Sequence, residues 1–163
     1  MELYLIRHGR QSSRLCNVNV DLSPEGRRQA ALLGHRLADW GIEVLYSSSL
    51  IRAVQTAEEI NRFLLLPHQV CPELGEISFG EMEGLPDEEI AVRFREFKER
   101  QAAMTEDLPY PGGECAADVI RRAGPVLERL AGKMEASWKG SGKYKYHTVK
   151  MGQRPQAFYT GTL

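Results

Sequence analysis

The chain opens on an almost wholly apolar run, Leu3-Tyr4-Leu5-Ile6, that stops at Arg7-His8-Gly9. That is the pattern of a buried strand delivering polar groups to one edge of a sheet. Arg10 to Asp21 is polar and carries Ser12, Ser13, Asn17 and Asn19, which predicts a loop over the end of the strand. A helix should follow, with Ser23 as N-cap, Pro24 in the first helical position and Glu25 in the first turn. Ala30, Leu33, Leu37 and Trp40 give it an apolar face, and Gly41 supplies its stop. Ile42 to Tyr46, ending in Ser47-Ser48-Ser49, reads as a second strand parallel to the first. Strand, crossover helix and strand make one βαβ unit.

The periodicity predicts a second helix from near Leu50 to Phe63, with serines available to cap it and Arg52 in its first turn. Leu64 to Cys71 fits a short strand interrupted at Pro67, and Pro72 to Pro86 is a loop rich in glycine and acids. Asp87 to Ala103 reads as one amphipathic helix with Ile90, Phe94 and Phe97 inward. After a break at Pro109 to Gly113, Ala116 to Trp138 reads as one long helix. Val119, Ile120, Ala123, Val126, Leu127 and Leu130 are its expected inward residues, and Pro125 stands where it would kink the helix. A sheet begun by two buried parallel strands should gain another after this helix, and only the alternating Tyr144 to Met151 is available for it.

Composition narrows the class. A chain of 163 residues fits one domain, 1–163, and 42% hydrophobic with 26% charged residues is ordinary for a globular protein. The formal net charge of -1 offers no global attraction for nucleic acid or acidic membranes, so neither is an expected partner and any anion site must be local. The start, Met-Glu-Leu-Tyr, predicts no secretory leader, and no apolar run approaches the ~20 residues that span a bilayer. A cytoplasmic protein is expected. Cys16, Cys71 and Cys115 are widely spaced with no Cys-x-x-Cys, so neither a disulfide framework nor a metal site is suggested. Residues 139–163 differ in kind, with Lys139, Lys143, Lys145, Lys150 and Arg154 but no acid: an atypical basic tail.

An Arg-His pair alone reads as the polar end of a strand. Three segments together read differently: Arg7-His8-Gly9, Ser47 to Arg52, and Glu76 to Gly80 each place a polar group at the end of a predicted strand or in the loop after it. They supply two guanidinium groups, an imidazole and a carboxyl. A guanidinium binds phosphate oxygens in a fork and keeps its charge at any relevant pH. A neutral imidazole can attack phosphorus without first losing a proton. The leaving alkoxide then needs a proton, a task for Glu76 if a neighbouring phosphate raises its pKa; one more solvated acid is the alternative reading of that residue. His35 and His68 are expected at the surface.

The ordered segments resemble a family. Leu5-Ile6-Arg7-His8-Gly9, Leu22-Ser23-Pro24-Glu25-Gly26, Ser47 to Ala57 with its Arg-Ala-x-Gln-Thr-Ala, Leu74 to Gly84, and Pro111-Gly112-Gly113-Glu114 are similar to the successive signatures of the histidine phosphatase (phosphoglycerate mutase-like) superfamily over residues 1 to about 135. The resemblance implies a three-layer α/β/α fold with a mostly parallel sheet. It also implies phosphoryl transfer through a covalent phosphohistidine, with neither metal nor cofactor. Carried over, His8 is the nucleophile, Arg7 and Arg52 clamp phosphate, Glu76 donates the proton and Asn17 is a pocket residue. Gln11, Arg14, Met82 and Cys115 depart from frequent family residues. The family's second His-Gly, after the last core strand, has no match.

His147 is the only histidine after the long helix, and it enters as the substrate-pocket candidate for that second position. The rival readings are a basic surface segment or a tail altered by frameshift or truncation. Either leaves the fold incomplete at the C-terminus, and the resulting sheet edge invites self-association. The expected function is a phosphomonoester hydrolase acting on a small phosphorylated metabolite. A phosphoglycerate mutase-type transfer and a catalytically impaired phosphate binder are its alternatives.

Overall fold

The computed structural model describes the backbone of residues 2–137 and 145–149 and the side chains of residues 3–130. Strand β1 (Glu2–Ile6) leads through the long polar loop to helix α1 (Pro24–Leu37), strand β2 (Leu45–Ser47) and helix α2 (Ile51–Leu64). Strand β3 (His68–Val70) follows, then a loop with two single 3-10 turns, short helices α3 (Asp87–Arg93) and α4 (Arg95–Ala102), helix α5 (Ala116–Ser137) and strand β4 (Lys145–Val149). Among the described residues both ladders are parallel, β1 with β4 and β2 with β3. β1 and β2 share no ladder, so the first βαβ unit joins strands that are not hydrogen-bonded neighbours.

The helices cover two faces. Ala30, Leu33 and Leu37 of α1 and Ile60 of α2 form one core, against which Ile6 of β1 packs together with Trp40 and Ile42. Val126 and Leu130 of α5 form another with Cys71, against which Tyr46 of β2 and Leu74 pack. The architecture is therefore helix, parallel sheet, helix, as the resemblance implies. No described helix is long and apolar enough to cross a membrane.

Local signals were realised where the partners are close in sequence. Ser23 Oγ accepts the Gly26 N–H at 3.1 Å as the expected N-cap. Lys145–Val149 does form a strand after the long helix, within the stretch expected to supply one.

Four expectations change. The second strand starts only at Leu45, whose N–H donates to the Pro67 carbonyl, because its partner β3 begins at His68. The N-cap of α2 is Leu50, and no serine caps it; Asn19 Oδ1 from the first loop accepts the Ile51 N–H at 2.8 Å. The helix expected from Asp87 to Ala103 breaks at Phe94. Ile90 anchors α3 in the core, whereas α4 has no buried residue to hold it in line. On α5, Ile120 is 69% and Leu127 38% exposed, since the buried stripe runs one position out of phase with them, through Val126 and Leu130. Pro125 sits inside α5 without ending it.

Candidate active site

The first polar residue after β1 is Arg7. Its guanidinium is exposed and makes no hydrogen bond or ion pair among the described residues. His8 follows, half-buried, with its Nδ1 2.7 Å from the Gly9 carbonyl oxygen. That contact makes Nδ1 the protonated nitrogen and leaves the lone pair on Nε2. On the Nε2 side, Arg52 donates its Nε–H at 3.2 Å. Burial holds the His8 imidazole below its ordinary value; the Arg52 and Arg7 charges push the same way, against the Gly9 carbonyl and the Glu76 carboxylate. The ring is therefore neutral at pH 7.

Two features of sequence fix this geometry. The Gly9 N–H donates to Thr56 Oγ1 at 3.0 Å, and the same hydroxyl donates to the Arg52 carbonyl at 2.7 Å. One threonine on α2 thus holds both the end of β1 and the first turn that carries Arg52. Gly9 also lies against Gly26 of α1. A Cβ on Gly9 would meet the Gly26 carbonyl oxygen at 2.5 Å, and one on Gly26 would meet the Arg10 carbonyl oxygen at 2.1 Å. Close backbone approach is what both glycines permit.

Arg52 is 2% exposed. Besides His8 it donates to the Val18 carbonyl at 3.0 Å and to Asn17 Oδ1 at 2.7 Å. Three of its five N–H groups are engaged, leaving two for an anion. Burial and Arg7 lower its pKa while Glu76 and Glu83 raise it; a guanidinium stays charged throughout. Asn17 adopts φ 45°, a left-handed conformation that asparagine tolerates better than most residues. Its amide is engaged at both ends, with Nδ2 donating to Glu83 Oε1 at 3.0 Å.

Glu76 is exposed, on the loop before the second 3-10 turn, and its charge acts on both His8 and Arg52. The loop is held from α5: Arg122 donates to the carbonyls of Glu73, Gly75 and Glu76 at 2.6, 3.0 and 3.0 Å. Glu114 grips the same guanidinium in a fork at 2.8 and 2.9 Å, and accepts the Ser78 N–H at 2.9 Å.

The structure thus brings Arg52 into direct contact with both Asn17 and His8, with the Glu76 charge acting on Arg52 and His8. His147 is placed only by its backbone. In the parallel ladder it lies opposite Tyr4, four residues before His8 and so ~13 Å along the strand; its side chain lies outside the described residues. His68 is half-buried and bonds Ser47 Oγ at 2.9 Å, whereas a surface position was expected. Sequence reasoning passed over Thr56, Asn19, Glu83 and Arg122. Two of them carried a signal, Thr56 in the Arg-Ala-x-Gln-Thr-Ala pattern and Glu83 in the segment Leu74 to Gly84. Among the described residues no group of three His, Cys, Asp or Glu side chains is arranged to hold a metal ion.

A profile of the histidine phosphatase superfamily (branch 1) matches residues 3–137. The chain is 30% identical over 159 residues to phosphoserine phosphatase 1 of Hydrogenobacter thermophilus, a match covering 93% of this chain and 72% of that protein. It is 29% identical over 133 residues to the probable phosphoglycerate mutase GpmB of Yersinia pestis, covering 78% of this chain and 62% of that one. Among solved structures, a mycobacterial glucosyl-3-phosphoglycerate phosphatase in complex with VO3 superposes with a TM-score of 0.70 at 26% identity. That match covers 91% of this chain and 73% of the other.

Proposed function

This chain belongs to the histidine phosphatase superfamily (branch 1), and from that premise we propose that it is a phosphomonoesterase working through a phosphohistidine at His8. The observation that carries the reading is the state of one ring. Nδ1 is tied to the Gly9 carbonyl, so the Nε2 lone pair faces the guanidinium of Arg52.

The steps follow from the charges. Arg7 and the two remaining N–H groups of Arg52 grip the phosphoryl oxygens of a small phosphate ester. As the ester enters, the Arg52 Nε–H lets go of Nε2. The freed lone pair attacks phosphorus, the P–O bond to the leaving group breaks, and Glu76 gives its proton to the departing alkoxide. Water then attacks the phosphohistidine with Glu76 as base, releasing inorganic phosphate and restoring the neutral ring. Asn17 takes part by holding Arg52. No step calls on a metal or cofactor.

The substrate is a phosphate monoester of a small metabolite. Hydrolysis is favoured over mutase chemistry because the stretch from Gly84 to Pro109 is filled by two short helices, α3 and α4, leaving little room for a basic lid to retain the intermediate. The test is rapid-quench labelling with a phosphate-labelled aryl phosphate. Parent protein should yield an acid-labile, alkali-stable phosphoprotein, and His8→Ala should yield neither label nor turnover. Equal turnover by His8→Ala would end the proposal. Incubation with a phosphoglycerate should release free phosphate, not an isomer.

A second reading rests on the register of β4. With the His147 backbone opposite Tyr4, the register of the described strand sets its histidine four residues short of His8, which favours a protein that binds phosphate and turns over poorly. One burst equivalent of phenol followed by a stall would mark that case; steady release marks the first.

A further inference from the structure

Glu83 stands in the acidic loop and is exposed, the profile of a solvated acid. Its hydrogen bonds are not those of one. A single oxygen, Oε1, accepts from Asn17 Nδ2 at 3.0 Å, from Ser78 Oγ at 3.1 Å and from the Phe79 N–H at 2.9 Å. The first belongs to the loop after β1, the other two to the segment that carries Glu76. Glu83 joins the two walls of the candidate site by side chain, beside the backbone bonds of Cys16 with Gly84 and Leu85.

The bond to Asn17 has a directional consequence. A side-chain amide has a donor end and an acceptor end, and Arg52 requires the acceptor: its NH2 group donates to Asn17 Oδ1 at 2.7 Å. Turned over, the amide would set its own N–H groups against a guanidinium, donor against donor. An acceptor on the far side of the amide selects the correct orientation, and among the described residues the acceptors bonded there are Glu83 and, at 3.4 Å, the Ile77 carbonyl. The path runs from Glu83 through Asn17 and Arg52 to Nε2 of His8.

We infer that Glu83 is a positioning residue, which orients Asn17 so that Arg52 is held against His8. The inference rests on the phosphohistidine reading of His8. Glu83 touches neither substrate nor reacting atoms; it acts through Asn17.

Steady-state kinetics on p-nitrophenyl phosphate test it. Glu83→Ala removes the acceptor, and kcat/KM should fall by about 10- to 100-fold, the usual cost of displacing a catalytic contact by about 1 Å. Glu83→Gln keeps an acceptor oxygen and loses the charge, and should recover most of that loss. Because both residues act along one path, Glu83→Ala combined with Asn17→Ala should be no slower than Asn17→Ala alone. Parent-like kcat/KM in Glu83→Ala, Gln as damaging as Ala, or losses that multiply in the double variant would each overturn the inference. Should Glu83→Ala fail to fold, Asn17→Ala carries the test, since it leaves the bonds from Ser78 and Phe79 to Glu83 in place; parent-like kcat/KM there overturns the inference. His8→Ala in the same assay separates the two levels: if it keeps turnover, the phosphohistidine reading fails, and if it abolishes turnover while Glu83→Ala does not slow, only the role of Glu83 fails.

Discussion

His8 and Glu76 divide the proposed chemistry according to how each is held. His8 is fixed at Nδ1 by the Gly9 carbonyl, which sets its tautomer, while Arg52 holds Nε2 until a phosphate takes its place. Glu76 is exposed and among the described residues its carboxylate accepts only its neighbour's N–H, from Ile77 at 3.0 Å, so it is free to move between a leaving group and a water. Its contribution should depend on the leaving group. Glu76→Gln is expected to cut kcat for an alkyl phosphate by about 10²- to 10⁴-fold, and to cost far less with p-nitrophenyl phosphate, whose leaving group needs no proton. Equal losses on the two substrates would remove Glu76 from the role of proton donor. At this scale the sequence was readable wherever a residue type announces its chemistry. His8 and Arg52, which the structure brings into contact, could be picked out for that reason. Glu83 could not, because an acid among acids looks the same whether it faces water or an amide.

Among elements, the contact between the end of β1 and α1 is the most exacting. Gly9 and Gly26 leave no space for a side chain on either. Gly26→Ala should lose about 1–3 kcal/mol through overpacking and displace His8 with it. Urea unfolding checks this, and a parent-like midpoint for Gly26→Ala would contradict the packing argument. Element boundaries were legible where the signal is local, as with Ser23 and Pro24 at the start of α1. They were not where the partner comes from afar: Asn19, 32 residues away, caps α2, and no reading of α2 alone finds it. The misplaced Ile120 and Leu127 show a related limit, for a one-residue error in helix phase turns an inward stripe outward.

For the whole molecule, the sequence conveyed layers better than pairings. Apolar runs and amphipathic faces specify how many layers a chain can make, but ladder partners are chosen by contacts across the sheet. Hence β1 pairs with β4 and β2 with β3, an order that alternation along the chain does not encode. Stability of the whole molecule should also register the site. Folded His8 is held neutral by burial, whereas the unfolded chain takes up its proton near the ordinary value of about 6.5. Below that value the unfolded state binds the extra proton first, so stability should drop as pH falls through 6.5 and level off below the lower folded value. His8→Asn should flatten that step. Urea midpoints at several pH values from 8 to 4.5, for parent and variant, measure it; an unchanged step in the variant would assign the effect elsewhere.

The hydroxyl of Thr56 takes the Gly9 N–H and gives its own hydrogen to the Arg52 carbonyl. It works as a mechanical coupling. When α2 rocks against the sheet, the strand end and the helix turn are dragged by the same atom, and the motion becomes common to both rather than relative between them. His8 and Arg52 then keep their separation while their surroundings breathe, and it is their separation, not their absolute position, on which the proposed transfer of a phosphoryl group depends.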